Sequence, residues 1–196
     1  MKYDVYVGDK KYSLYSEDNT KLVNVTEDLN EKIYDMFQEI PFAEKYQDIN
    51  IANGLSKKEF RQYCAVLELA NKNIMLDFIV PSVTWFVLFD KCMPIGWFSL
   101  RAENTTQNFM HAGHVGYTIR PTKRKMGYAT KGLAQIIQLA KILRYKKLFV
   151  TTDDKNIASQ NLIKKLGFKI CPKNSKQQIV TKKVYEGMSQ YYLNLK

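Results

Sequence analysis

The segment from Arg124 reads Arg124-Lys125-Met126-Gly127-Tyr128-Ala129, the pattern R-x-x-G-x-A, with Lys123 before it and Lys131 after it. It lies between a β-rich run, His114–Ile119, closed by Pro121, and an amphipathic stretch that begins near Tyr128. A strand that turns sharply into a helix points several unpaired backbone N–H groups outward, and the helix dipole adds partial positive charge there. Gly127 and Ala129 keep side-chain bulk away, so the backbone can close on an anion. Arg124 and Lys125 add mobile cations. This is the chemistry of a diphosphate site, in which charge-assisted hydrogen bonds are worth roughly 1.5–3 kcal/mol each. The same residues also describe a plain strand–helix turn with solvated lysines, and the loop alone does not separate the two. Neither GxxxxGK[ST] nor GxGxxG occurs, so the triphosphate and dinucleotide fingerprints fail.

Other reactive residue types are sparse. His111 and His114 are the two histidines, and Cys64, Cys92 and Cys171 form an odd, widely spaced set without CxxC. No disulfide framework and no metal site are expected, and a reduced cytoplasmic compartment fits best. Asn156 and Ser159 open a second short helical stretch; Asn is favoured at a helix N-cap.

The elements that must hold these residues follow from periodicity. Thr84–Phe89 and Ile95–Leu100 are β-rich runs around a turn at 90–94, an antiparallel hairpin, and His114–Ile119 is a third strand. A helix over 128–143 presents Leu133, Ile136, Ile137, Ala140 and Leu143. Lys147–Thr152 is a strand; the helix from Asn156 to Lys165 is stopped by Gly167; and 168–170 with 180–192 supply the last strands. Earlier, Leu22–Val25 reads as a first core strand. Thr26-Glu27-Asp28 reads as a helix start and Pro41 as that helix's end. Ser56-Lys57-Lys58-Glu59 is a capping box, with Leu55 and Phe60 placed as a hydrophobic staple for a helix to about Asn71. Residues 1–20 read as a hairpin or N-terminal extension, and 21–196 as one domain. The fold class is α/β or α+β with a mixed, mostly antiparallel sheet flanked by helices.

The 196 residues, 45% apolar and 25% charged, are ordinary globular values, and no apolar run approaches the ~20 residues of a membrane span. The start Met1-Lys2-Tyr3-Asp4 is not a secretory signal. The net charge of +11 is unevenly spread: residues 1–120 sum to −3 and residues 121–196 to +14. A basic half suggests an anionic partner. A nucleic-acid-binding module is one such reading, but no helix-turn-helix pattern, RNP motif or zinc finger supports it.

Strand, R-x-x-G-x-A, helix, strand, then N-x-x-S and L-G-F resembles the GCN5-related N-acetyltransferase (GNAT) superfamily. The segments GHVGYTIRPTKRKMGYA and TTDDKNIASQNLIKKLGF look like a bacterial branch of predicted acetyltransferases. The resemblance runs from Leu22 to the C-terminus and leaves residues 1–20 uncovered. It implies that strand 115–120 splays from strand 147–152 and that the pantetheine arm of acetyl-CoA lies in the gap. Backbone groups around Tyr117, Ile119 and Arg120 would hold its amides. The amides of Lys125, Met126, Gly127, Tyr128, Ala129 and Thr130 would hold the pyrophosphate, with Arg124 alongside. Asn156 would bind the arm, with Ser159 nearby.

The activity so implied is transfer of an acetyl group from acetyl-CoA to an amine by direct attack in a ternary complex. The acceptor would be an amine-bearing small molecule or a protein or peptide, and a homodimer through the C-terminal strands is compatible. The attacking amine must be neutral, which at pH 7 costs roughly 4–5 kcal/mol for a lysine and under about 1.5 kcal/mol for an α-amine. Glu103, just past the third core strand, is the candidate general base, and His114 a second one. Many members of the family carry a tyrosine acid seven residues after the helix-start Asn; here that position is Ile163. Either another donor serves, such as Tyr117, Tyr128 or Ser159, or the thiolate leaves unprotonated, and no catalytic acid is assigned. A non-catalytic acyl-CoA sensor is the alternative that Ile163 keeps open.

Overall fold

The computed structural model describes residues 1–42, 50–72, 83–102, 113–172 and 187–195. The chain opens with a hairpin of β1 (Lys2–Val7) and β2 (Lys10–Tyr15), in which Val5 and Leu14 are fully buried. Strands β3 (Thr20–Asn24), β4 (Val83–Asp90), β5 (Met93–Arg101) and β6 (Val115–Ile119) follow one another across an antiparallel sheet. Strands β7 (Lys147–Asp153), β8 (Lys169–Ile170) and β9 (Met188–Asn194) form a second antiparallel sheet in the order β7-β9-β8. The part of the last-strand prediction that falls on 180–186 lies outside the described residues.

The two sheets touch at one end. Gly113 bridges Val150, His114 N–H donates to Phe149 O at 2.7 Å, and Phe149 N–H donates to His114 Nδ1 at 3.0 Å. Gly113, at φ 74, permits this approach, because a Cβ there would lie 2.6 Å from Phe149 O. Beyond this contact β6 and β7 share no ladder among the described residues, so the sheet opens into a V.

Among the described residues four α-helices flank the strands: α1 (Asn30–Glu39), α2 (Lys57–Asn71), α3 (Tyr128–Ile142) and α4 (Ile157–Lys165). The α2 capping box forms in both directions: Ser56 Oγ accepts from Glu59 N–H while Glu59 accepts from Ser56 N–H. Thr26 precedes a 3-10 turn, Glu27–Leu29, and makes no side-chain cap; α1 starts only at Asn30. Alternation along β4, and along β5 from Trp97 onward, builds two cores, with a register shift at Leu88/Phe89. Phe86, Leu88, Ile95, Phe98 and Leu100 join α3 and α4 residues such as Leu133, Ile136 and Ile163 on one face. Val87, Phe89 and Trp97 join α1 and α2 residues such as Ile33, Phe37 and Phe60 on the other. Each fully buried side chain of this kind contributes roughly 1.5–3 kcal/mol. No helix among the described residues is long and apolar enough to cross a membrane.

Candidate active site

The β6–α3 connection is built from the backbone. After β6, Pro121–Lys123 makes a 3-10 turn, Arg124 is extended, and Lys125 takes φ 62. Gly127 is the N-cap of α3 at φ 81, a left-handed conformation that glycine adopts without steric cost. No side chain caps this helix, and its first turn closes with Lys131 N–H on Gly127 O. The N–H groups of Tyr128, Ala129 and Thr130 therefore have no intrahelical acceptor. Nothing lies within 4 Å of where a Gly127 Cβ would stand, so the space in front of the turn is open.

That turn forms one end of a cavity of about 700 Å³, a volume in the range of small-ligand sites. Strand β6 lines it from Val115 to Ile119, and β7 from Val150 to Asp153, so the cavity occupies the V between the sheets. Of the residues singled out in the sequence, Tyr117, Ile119, Arg124, Lys125 and Gly127 line it. So do Tyr128, Ala129, Thr130, Asn156 and Ser159. Arg120 and Met126 do not. The Arg120 guanidinium turns to Glu39 and to Pro94 O, the Arg120 backbone N–H donates to Ile95 O, and Met126 is exposed. Glu103 lies outside the described residues. His114 is buried at the junction of the sheets, with Nδ1 accepting from Phe149 N–H and its ring edge-on to Tyr145.

Thr118, Lys123 and Met188 also line the cavity and were not singled out from the sequence, whereas the β7 wall is the strand that the resemblance placed across the gap. Lys123 was within reach, being the first cation of the basic run. Met188 carries no chemical signal, because only the divergence of the sheets brings it here.

Two side chains form a pair inside the cleft. Tyr117 Oη and Ser159 Oγ lie 2.8 Å apart, and either can donate. The Tyr117 ring stacks on Phe98 with centroids 5.8 Å apart, and burial, only partly offset by the Ser159 bond, holds its phenol above the usual pKa. Ser159 is fixed by Asn156, which caps α4 by accepting Ser159 N–H at 3.1 Å. Ile163 is fully buried in the core. Tyr128 points elsewhere: its hydroxyl donates to Asp90 at 2.7 Å, a bond that, with burial second, raises its pKa.

A strand–turn–helix that bares its amides beside a split sheet suits an elongated ligand with an anionic end. A family-wide sequence profile described as Acetyltransferase (GNAT) domain matches residues 20–169, and the chain belongs to that acetyltransferase family. The fold is similar to RimL, a ribosomal L7/L12 alpha-N-protein acetyltransferase in complex with coenzyme A. Identity is 13%, 93% of this chain and 97% of that chain are covered, and the TM-score is 0.66. It is also similar to the microcin C7 self-immunity acetyltransferase MccE in complex with acetyl-CoA and AMP (15% identity, 91% and 93% covered, TM-score 0.65). A third is YncA of Salmonella typhimurium with its cofactor acetyl-CoA (14% identity, 91% and 95% covered, TM-score 0.58). At such identities the likeness is one of fold. No curated protein matches the sequence.

Proposed function

We propose that this protein is an acetyl-CoA-dependent N-acetyltransferase that acetylates an amine by direct attack within a ternary complex. The observation that carries the reading is the single cavity running from the bared α3 amides along β6 to the Tyr117–Ser159 pair. Its residues suit a CoA thioester. Tyr128, Ala129 and Thr130, whose N–H groups lie outside the helix ladder, line the cavity, and Lys123 and Lys125 make no ion pair among the described residues. These groups would hold the diphosphate. The edge of β6 that faces β7 would take the pantetheine amides, and Asn156 and Ser159 would stand beside the arm.

Acetyl-CoA supplies an activated acyl group: the amine nitrogen bonds to the acetyl carbon, the carbon–sulfur bond breaks, and the nitrogen loses a proton. Glu103 is the proposed acceptor of that proton, directly or through water. The leaving sulfur needs a hydrogen-bond donor. Ile163 cannot donate and Tyr128 is committed to Asp90, which leaves Ser159, oriented by Tyr117. A phenol whose pKa is raised stays protonated, so Tyr117 serves better as a fixed donor to Ser159 than as a proton source.

The similarity to RimL, named for α-N-acetylation of a ribosomal protein, makes peptide α-amines the first acceptors to try, alongside lysine and small polyamines. The test is acetyl-CoA consumption across that panel. Ser159→Ala is expected to lower kcat about 10- to 100-fold with little change in KM for acetyl-CoA, the loss typical of one proton-transfer group or less. Glu103→Gln is expected to fall most steeply on acceptors of high pKa. Acetyl-CoA binding without consumption by any amine would favour the sensor reading that Ile163 leaves open.

A further inference from the structure

Three carboxylates from the acidic part of the chain converge on the segment around the bared amides. Upstream, Glu39 pairs with the Arg120 guanidinium through Oε2 and accepts Thr122 N–H on Oε1 at 2.7 Å. Downstream, Asp90 accepts the Tyr128 hydroxyl at 2.7 Å, and Asp18 pairs with Lys131 at 2.6 Å. None of the three pairs with Lys123 or Lys125, which line the cavity between them. The acids fix the frame and leave these two cations to a ligand.

Glu39 is not where α1 itself would want it. It is the last residue of that helix, where a carboxylate opposes the dipole. What it does instead lies 81 and 83 residues away in the chain, at Arg120 and Thr122, the N-cap and a member of the 3-10 turn that precedes the amides. That turn needs holding. Lys125 sits at φ 62, which costs a side-chain-bearing residue roughly 1–2 kcal/mol, and successive N–H groups aimed at one point repel one another.

We propose that Glu39 is a positioning residue for the diphosphate of the CoA ligand, acting through Thr122 and Arg120, with Asp90 as the matching brace through Tyr128. The inference rests on the acetyl-CoA reading above. It predicts which part of the ligand feels the loss. Glu39→Gln and Asp90→Ala are titrated calorimetrically or by NMR with three probes: CoA, 3′-phosphoadenosine 5′-diphosphate, and pantetheine. Thermal unfolding of each variant reports the fold. Both variants are expected to bind CoA and the nucleotide about 10-fold more weakly, a loss of about 1.4 kcal/mol, and pantetheine within about 2-fold of the parent. Equal weakening of all three probes would show a general structural role and overturn the proposal, and so would unchanged binding of all three. A parent protein that binds no CoA would instead remove the reading beneath it.

Discussion

Asp18 shows how one side chain can serve the site without touching it. It accepts from Thr20 and pairs with Lys131, and the Lys131 bond, followed by those from Thr20, holds its carboxyl well below the usual range. A carboxyl of lowered pKa adds stability that is present above its unfolded value of about 3.9 and is lost as pH falls through the folded value. Asp18→Asn should therefore lower stability slightly at neutral pH and flatten the decline below about pH 4, as read from urea midpoints across pH 2–7. The effect stays small because the pair is about two-fifths exposed. At this scale the sequence was partly readable. Gly127 and Asn156 stood out because a left-handed N-cap and an Asx cap each demand a particular residue type. The Tyr117–Ser159 bond was not readable, since 42 residues separate its partners and only the approach of β6 and α4 joins them. Arg120 was expected to offer backbone groups to the pantetheine amides; its backbone N–H donates to Ile95 O, and its side chain pairs with Glu39 on α1, a partner no local pattern announces.

Among the elements, α3 is tied to the N-terminal strands by one of its polar residues. Gln135 is buried; its Oε1 accepts from the Tyr3 hydroxyl and from Leu22 N–H, and its Nε2 donates to Thr20. It thereby fastens the N-terminal hairpin and β3 to the helix that carries the bared amides. Gln135→Leu fills the volume but strands a buried N–H and a phenol. Chemical denaturation should show a loss of about 2–3 kcal/mol, with the hairpin amides losing hydrogen-exchange protection first. Helical periodicity identified the apolar face of α3 through Leu133, Ile136 and Ala140. It gave no reason to place a glutamine or Gly132 on that face. Gly132 is needed because a Cβ there would stand 2.1 Å from the Phe98 ring. The boundaries of α2 and α4 were legible for a local reason, the capping box at Ser56 and the stop at Gly167, where φ is 87. Thr26 misled by one turn, because a 3-10 segment intervenes before α1.

Across the whole molecule, the acidic first 120 residues and the basic remainder meet at the cleft, where Glu39, Asp90 and Asp18 frame a loop whose lysines face the cavity. The charge asymmetry was plain in the sequence. The split of the strands into two sheets came from resemblance and not from pattern, since the β6 and β7 sequences look like ordinary neighbours and the divergence is set by the junction at Gly113 and His114. Everything functional depends on an anion being held at the start of α3. The direct test is calorimetric titration of CoA into the parent protein and Gly127→Glu. The open space at Gly127 lets the longer side chain be accommodated apart from the backbone strain at φ 81, roughly 1–2 kcal/mol, so the variant should fold while placing a carboxylate against the diphosphate. The account predicts binding by the parent and at least about a 100-fold loss in the folded variant, or about 2.7 kcal/mol. Equal affinity in the two proteins would contradict it.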